Sequence, residues 1–144
     1  MSQTKIIVGL GSCGLAAGAG KVYDELLRIR EADNLDFELK KTSCIGMCFK
    51  EPIVEIIDDS GSYLYGEVDV KKADEIIEKQ SVNFSPVNEY LVKSDKAETK
   101  FADYFDGQVK IALRNCGCMD PENIDEYESR GGYESLKKIA NEKI

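Results

Sequence analysis

Five cysteines are the residues of this sequence with the most distinctive chemistry, and no histidine accompanies them. They are Cys13, Cys44, Cys48, Cys116 and Cys118. The odd number argues against a disulfide framework. Without histidine, the most common general base and the most common nitrogen ligand for metals are both missing. Metal or redox chemistry in this chain must therefore depend on thiolates or carboxylates.

Three of the cysteines lie in two loops that we expect to meet. Cys44 and Cys48 are separated by three residues, so both thiolates can reach one iron, and Gly46 between them allows backbone N–H groups to turn toward the sulfurs. Cys13 follows the first predicted strand, and the ends of the first two strands of a βαβ unit share one edge of the sheet. Spacing alone leaves open whether these thiols bind a metal or are packed as small apolar groups.

The elements that must position these loops form the pattern of an α/β fold. Apolar patterning predicts strands near residues 5–9, 36–41, 53–57 and 63–66, and helices near residues 15–32 and 70–80. Asp69 has the position and chemistry of an N-cap for the second helix. The order β-α-β-β-β-α predicts a small mixed sheet, with a parallel crossover between the first two strands and a hairpin between the last two.

Beyond residue 82 this regular pattern ends. We expect a first domain over 1–82, a linker over 83–100 that is rich in turn-forming and charged residues, and an extension over 101–144. The extension is predicted to contain a strand over Val109–Leu113, a helix that starts at Asp120–Pro121 and a final helix from Tyr133 to Lys143. It is too short to bury a core alone, so it must pack against another surface.

Composition and charge exclude several classes of function. The 144 residues carry a net charge of −8, which argues against nucleic acid and suits docking on a basic partner surface. No apolar run approaches the ~20 residues that span a bilayer, so no membrane insertion is expected. The first fourteen residues lack the features of a secretory signal. The cytoplasm is the expected location.

The first loop also matches a motif of a different kind. Residues 9–14 fit the G-x-G-x-x-G pattern of dinucleotide-binding folds, with Asp33 roughly 20 residues further on. The predicted hairpin after the second strand does not continue the βαβαβ order that such a fold requires. Nicotinamide binding at this loop is therefore disfavoured.

Two segments carry a family resemblance. The sequences VGLGSCGLAAGA at residues 8–19 and CIGMCFKEPIVE at residues 44–55 resemble the N-terminal thioredoxin-like 2Fe-2S ferredoxin domain of NADH-binding flavoprotein subunits. Such subunits occur in NAD-linked and electron-bifurcating hydrogenases and formate dehydrogenases, and in respiratory complex I. Residues 111–117 and 120–122, with the segment 127–134, resemble the region that leads into the flavin domain of those subunits.

The resemblance implies a thioredoxin-like ferredoxin fold with a partly helical C-terminal extension. It also implies an electron-transfer module that carries electrons through a 2Fe-2S cluster held by Cys13, Cys44 and Cys48, with other iron–sulfur and flavin subunits as partners. The chain would not be catalytic alone but part of an NADH-dependent oxidoreductase. We expect no flavin or NAD on this chain alone, because the family's motifs for both lie beyond the segment that it resembles. The alternative is a clusterless docking module of the same kind of complex.

One departure from the family leaves the fourth ligand open. Members with a cluster usually have two cysteines in the first loop, whereas this chain has Cys13 alone, with Val8 and Gly9 near the position of the other. Cys118 or Cys116 from the extension, Ser12, or a cysteine of a second chain are the alternatives. A thiol redox role for Cys44 and Cys48 is less favoured, because their spacing differs from the C-x-x-C motif.

Overall fold

A computed structural model of the chain describes residues 4–82 and 85–142, and in these residues five strands form one mixed sheet. The strands are β1 (Thr4–Gly9), β2 (Phe37–Thr42), β3 (Val54–Asp58), β4 (Gly61–Tyr65) and β5 (Leu91–Ser94), in the spatial order β2-β1-β3-β4-β5. Strand β1 pairs parallel with β2 and antiparallel with β3, and the pairs β3–β4 and β4–β5 are antiparallel. The four predicted strands, the parallel pair and the hairpin are confirmed.

The helices differ from the prediction mainly at their boundaries. They are α1 (Ser12–Ala17), α2 (Ala19–Ala32), α3 (Val70–Ile76), α4 (Ala102–Phe105), α5 (Ile124–Ser129) and α6 (Glu134–Glu142). The single helix predicted near 15–32 is divided at Gly18, whose φ of 101° is left-handed and ends α1. Asp69 caps α3 as predicted, since its side chain accepts a hydrogen bond from the Lys72 amide at 2.9 Å. None of the described helices is long and apolar enough to cross a membrane.

The sheet buries apolar side chains on both faces. Helices α2 and α3 pack on one face, over a core that includes Ile6, Val8, Val22, Leu26, Ile56, Tyr65 and Ile76. The opposite face carries a smaller cluster of Met47, Ile53, Leu64 and Val92, which Ile45, Phe101, Tyr104 and Phe105 cover. The alternation of Tyr63, Leu64 and Tyr65 between the two clusters follows from the two-residue period of a strand. Both faces of β4 are therefore buried.

Four residues of the predicted linker over 83–100, Leu91–Ser94, form β5, which joins the edge of the sheet. Leu91 and Val92 are the apolar residues of this strand, and Val92 is buried against the second face. A short edge strand needs only one apolar side chain directed inward, so its sequence is too short to show a two-residue period. The part of the predicted linker at residues 83 and 84 lies outside the described residues.

In the extension, one predicted element is wrong, one is shifted and one is confirmed. The expected strand over Val109–Leu113 is a series of turns and bends, because no sheet edge pairs with it, and Val109 is 83% exposed. The helix expected at Asp120 begins instead at Ile124, where the Asn123 side chain accepts hydrogen bonds from two amides. The last helix, α6, is confirmed over Glu134–Glu142, and Lys143 lies outside the described residues.

Candidate metal centre

The three cysteines of the predicted site converge at one edge of the sheet. Cys13 is the second residue of α1, which directly follows the loop after β1, while Cys44 and Cys48 lie in the loop after β2. Their sulfur atoms all lie within 4.8 Å of one another. The sulfurs of Cys44 and Cys48 are 3.5 Å apart. The predicted convergence is therefore confirmed, whereas the role of these thiols as ligands stays a prediction.

Strand pairing explains why the two loops meet. Strands β1 and β2 are parallel, with Gly9 opposite Thr42, so both chains leave the sheet at the same edge. The Leu10 amide donates a hydrogen bond to the Thr42 carbonyl at 2.8 Å, which continues the pairing beyond the strand. A Cβ atom at Gly11 would lie 2.8 Å from the Cys44 amide nitrogen. A glycine at position 11 is therefore what allows the first loop to touch the second.

The second loop, which we call the cysteine loop and define as residues 43–50, is held from within. Met47 is fully buried between its two cysteines and belongs to the apolar cluster of the second sheet face. The Gly46 amide donates a hydrogen bond to the Cys44 sulfur at 3.3 Å, as the sequence predicts. Such donors stabilise the negative charge that iron–sulfur centres carry on their sulfurs. Residues Cys48–Lys50 then form a 3₁₀ turn that leads to Glu51.

The Cys13 thiol is a weak acid in the metal-free protein. The Cys44 thiol beside Cys13, followed by burial, raises the pKa of Cys13 to about 12. Cys13 and Cys44 are half-buried and Cys48 is exposed. Metals bind the thiolate, so binding here must release protons. The exposed Cys48 places one side of the thiol group at the protein surface.

Glu51 is a polar residue of this site that the sequence analysis missed. Its side chain is 8% exposed. One carboxylate oxygen, Oε1, accepts a hydrogen bond from the Cys13 thiol at 3.7 Å, and the other, Oε2, accepts one from the Ile53 amide at 3.0 Å. Burial raises the pKa of Glu51, and the hydrogen bond from Ile53 opposes that effect. The only sign of this role in the sequence is an acidic residue directly after the cysteine loop. Such a residue is typical of any exposed loop, so the sequence does not single it out.

The structure does not bring the proposed fourth ligands into the group. Among the described residues, the group of ligand atoms within 4.8 Å of one another contains only the three cysteines. The thiol of Cys118 is exposed and lies 3.9 Å from the Cys116 carbonyl oxygen, while Arg130 donates a hydrogen bond to the Cys118 carbonyl. Ser12 is exposed at the start of α1. Cys118 therefore lies outside the three-thiol group in this structure.

The donor set suits an iron–sulfur centre. Thiolates are the soft ligands that hold such clusters, and three of them converge without a competing histidine. The backbone N–H of Gly46 is already directed at one sulfur. The residues present therefore fit three of the four ligands that a 2Fe-2S cluster requires.

Comparisons with known proteins agree with this chemistry. Residues 5–81 match the family described as thioredoxin-like [2Fe-2S] ferredoxin. The chain is 34% identical over 88 residues to the NADP-reducing hydrogenase subunit HndB of Solidesulfovibrio fructosivorans, an alignment that covers 59% of this chain and 69% of HndB. It is 56% identical over 32 residues to subunit HndC from the same organism, which is 22% of this chain but only 6% of the length of HndC.

Solved structures share the same fold. A thioredoxin-like [2Fe-2S] ferredoxin from Aquifex aeolicus superposes with a TM-score of 0.59 at 19% identity, over 67% of this chain and 96% of that one. A crystal structure of the wild-type form of such a ferredoxin from that organism gives a TM-score of 0.57 at 20% identity, over 65% and 99% of the two chains. The mixed sheet with its helices is therefore the thioredoxin-like ferredoxin fold, followed here by a helical extension.

Proposed function

This chain belongs to the thioredoxin-like [2Fe-2S] ferredoxin family, and we propose that it transfers electrons within a hydrogenase-type complex linked to NAD(H) or NADP(H). Its relatives HndB and HndC are named as subunits of an NADP-reducing hydrogenase, which supports that setting. The catalytic sites of the complex would belong to other subunits that carry iron–sulfur and flavin groups. We propose the cytoplasm as its location.

The observation that carries the proposal is the convergence of three thiols at one sheet edge. A 2Fe-2S cluster, when bound, supplies one-electron redox chemistry. Cys13, Cys44 and Cys48 would hold it, and the Gly46 amide would stabilise charge on the Cys44 sulfur. The family to which the chain belongs and the three-thiol group both support this cofactor. The protein's own contribution is to fix the position of the cluster and to tune its potential through burial and hydrogen bonding.

The surface around the exposed Cys48 offers a place for a redox partner. Phe49 beside it is 58% exposed, and its ring contacts the rings of Phe101 and Tyr104, with centroids 6.1 and 5.6 Å away. An exposed aromatic residue next to a ligand suits a transient contact with another subunit. The net charge of −8 favours a partner whose facing surface is basic.

The proposed division of the chain follows from the sheet. We assign the ferredoxin module to the residues up to the end of β5 at Ser94 and the extension to the residues from α4 onward. The segment between them contains mixed charges and is a short connection. The extension packs on the cysteine loop, where it is placed to transmit contact with a neighbouring subunit.

Iron and sulfide analysis of anaerobically purified and reconstituted protein tests this function. We expect about two iron and two sulfide per chain, with visible absorption that Cys44→Ser abolishes or strongly reduces. Cys116→Ser is the matched control, because this half-buried cysteine lies outside the three-thiol group, and it should keep the spectrum. A wild-type protein that holds no iron after anaerobic reconstitution would contradict the proposal.

A clusterless docking module is the second candidate function. It is favoured by the presence of three converging thiols where the family usually has four cysteines, and by exposed apolar side chains such as Leu136 and Ile139 on α6. In that case the wild-type protein would stay colourless while still binding partner subunits. The same iron analysis separates the two functions.

A further inference from the structure

The three thiols leave one position of the cluster without a ligand. A 2Fe-2S centre has two irons, and each needs two protein ligands besides the bridging sulfides. Cys13, Cys44 and Cys48 supply three. The fourth must be an atom that lies beside one of these sulfurs and can carry negative charge.

Two distances between donor atoms of the site bear on which ligands could share an iron. Two thiolates on one tetrahedral metal are separated by about 3.8 Å when each bond is about 2.3 Å long, and a thiolate and a carboxylate oxygen by about 3.6 Å. The sulfurs of Cys44 and Cys48 are 3.5 Å apart. The sulfur of Cys13 and Oε1 of Glu51 are 3.7 Å apart. Both separations are compatible with two ligands on one iron, and only the Glu51 oxygen adds a non-sulfur donor beside the three sulfurs, which lie within 4.8 Å of one another.

Glu51 is a buried acidic group with few polar partners. Its side chain is largely removed from water, with 8% of the residue exposed, so its charged form is favoured only beside a positive charge such as an iron. No lysine or arginine among the described residues forms an ion pair with it, and its polar contacts there are the Ile53 amide and the Cys13 thiol. A carboxylate can accept about four hydrogen bonds. Glu51 therefore keeps free acceptor capacity beside a metal ligand.

The surrounding backbone holds this carboxylate in place and leaves room for it. The Ile53 amide fixes Oε2, which leaves Oε1 directed at Cys13. A Cβ atom at Gly14 would lie 3.1 Å from Oε2, and one at Gly9 would lie 3.4 Å from it. A side chain at Gly14 would therefore press on the carboxylate as well as clash with the Gly9 carbonyl oxygen, whereas at Gly9 the contact would be ordinary. Gly14 in α1 keeps the space for the carboxylate open.

We propose that Glu51 is the fourth protein ligand of the 2Fe-2S cluster and binds, through Oε1, the same iron as Cys13. The proposal rests on the proposed function, since it assumes that the three cysteines hold the cluster. The centre then has one all-thiolate iron, at Cys44 and Cys48, and one iron with mixed sulfur and oxygen ligands. Because oxygen is the harder donor, the mixed iron favours the ferric state and the electron resides on the all-thiolate iron. That iron is the one beside the exposed Cys48.

Mössbauer spectroscopy of protein reconstituted with ⁵⁷Fe reads the ligand set directly. In the oxidised wild-type protein we expect two inequivalent ferric sites, one typical of four sulfur ligands and one with a mixed ligand set. Glu51→Gln keeps the size of the side chain and an acceptor for the Ile53 amide but removes the charge. We expect this variant to lose iron to a chelator roughly 10- to 100-fold faster than the wild type.

Two further variants control for charge and for folding. Glu55→Gln removes a half-buried carboxylate from β3, one that accepts a hydrogen bond from Ser62 at 2.7 Å, and should retain iron like the wild type. Glu51→Ala opens the iron to solvent, and added 2-mercaptoethanol should then restore iron retention and remove the inequivalence of the two sites. Far-UV circular dichroism checks that each variant is folded.

The outcomes separate this inference from the proposed function. Two equivalent all-thiolate sites in the wild type, or unchanged iron retention in Glu51→Gln, would overturn the assignment of Glu51 while leaving the cluster in place. If Glu51→Gln does not fold, the wild-type Mössbauer spectrum alone decides. A wild-type protein without any cluster overturns both the function and the ligand assignment.

Discussion

The sheet domain, residues 4–94, and the extension, residues 102–142, both touch the cysteine loop but are stabilised in different ways. The sheet buries side chains such as Ile6, Leu26 and Ile56 almost completely, and β1 pairs with β2 over its whole length. Neither α5 nor α6 in the extension buries a residue. The difference indicates that the sheet carries its own stability, whereas the extension depends on what it packs against.

Among the described residues, the polar contacts of the extension fall mainly on one short segment, residues 41–46, while α4 packs on β5 and the apolar second face. The Thr42 hydroxyl donates a hydrogen bond to the Met119 carbonyl at 3.1 Å, and the Tyr104 hydroxyl donates one to the Gly46 carbonyl at 2.9 Å. Gly117 lies against the Ile45 side chain. The first loop, at Gly11, meets the same segment from the sheet side. The first half of the cysteine loop is therefore contacted from both regions, while Cys48 and Phe49 are exposed.

The largest expected effect compares a core residue with an exposed one. Ile56→Ala, in the centre of β3, should lower the free energy of unfolding by about 2–5 kcal/mol, because it leaves a cavity in a fully buried site. Leu136→Ala on α6, at a residue that is 60% exposed, should change it by less than about 0.5 kcal/mol. Denaturant titration followed by circular dichroism measures both. If both variants lose the same free energy of unfolding, α6 contributes to the stability of the fold as much as the sheet core does.

The second comparison concerns two glycines that contact the cysteine loop from opposite sides. A Cβ at Gly11 would lie 2.8 Å from the Cys44 amide nitrogen, and a Cβ at Gly117 would lie 2.8 Å from Cγ2 of Ile45. We expect Gly11→Ala to cost about 1–3 kcal/mol and to reduce iron retention, because the obstructing atoms belong to the backbone of the loop. Gly117→Ala meets a side chain that can move, although its φ of 85° adds strain.

Iron content after reconstitution and the free energy of unfolding distinguish these two variants. Gly11→Ala should lower both, whereas Gly117→Ala should mainly loosen the extension and leave most of the iron bound. If Gly117→Ala removes iron as effectively as Gly11→Ala, the extension holds the site as firmly as the sheet does.

The third prediction tests the hydrogen bond that joins the two regions at a buried position. Thr42 is 5% exposed at the end of β2, and Thr42→Val keeps the shape of the side chain while it leaves the Met119 carbonyl without its donor. The expected cost is about 1–2 kcal/mol. Hydrogen exchange should become faster in residues 117–130, and exchange in β1 and β3 should stay unchanged. A uniform increase over the whole chain would mean that the two regions unfold together.

Sequence patterns predicted the elements whose side chains have a clear period. The alternation of Val54 and Ile56 and the helical spacing of Val22, Leu26 and Ile29 correspond to buried faces in the structure. The prediction failed where an apolar run has no partner surface, as at Ile111, which is 78% exposed. Local preference for a strand is not enough there, because an edge strand of the sheet must also be within reach.

At the candidate site, the three cysteines could be predicted because their loops follow two parallel strands. Glu51 could not, because nothing in the sequence shows that its carboxylate is buried and directed at Cys13. Burial of an acidic side chain is a property of the packed structure, which here depends on the absence of a side chain at Gly14. Cys118 was a candidate fourth ligand only because it is a cysteine. In the structure its thiol is exposed in a turn.

The smallest expected effect is at the hydroxyl of Tyr104. Tyr104→Phe removes the hydrogen bond to the Gly46 carbonyl but keeps the ring contacts with Phe49 and Phe105, with centroids 5.6 and 5.2 Å away. Because the bond is exposed to water, its loss should cost only about 0.5 kcal/mol, which corresponds to roughly twofold faster local opening. Amide exchange at Gly46 and Met47, in metal-free protein, should show this change while the global unfolding free energy stays within error.

Tyr104→Leu is the matched variant, because it removes the ring as well as the hydroxyl. Its cost should be larger, since the aromatic contacts that cover the second sheet face are lost together with the hydrogen bond. If Tyr104→Phe and Tyr104→Leu loosen the cysteine loop to the same extent, the hydroxyl alone joins the extension to the loop. If only Tyr104→Leu loosens the cysteine loop, apolar packing of α4 holds the outer side of the loop. The sheet domain and the extension then differ in the amount of surface that they bury, not in the kind of contact that they make.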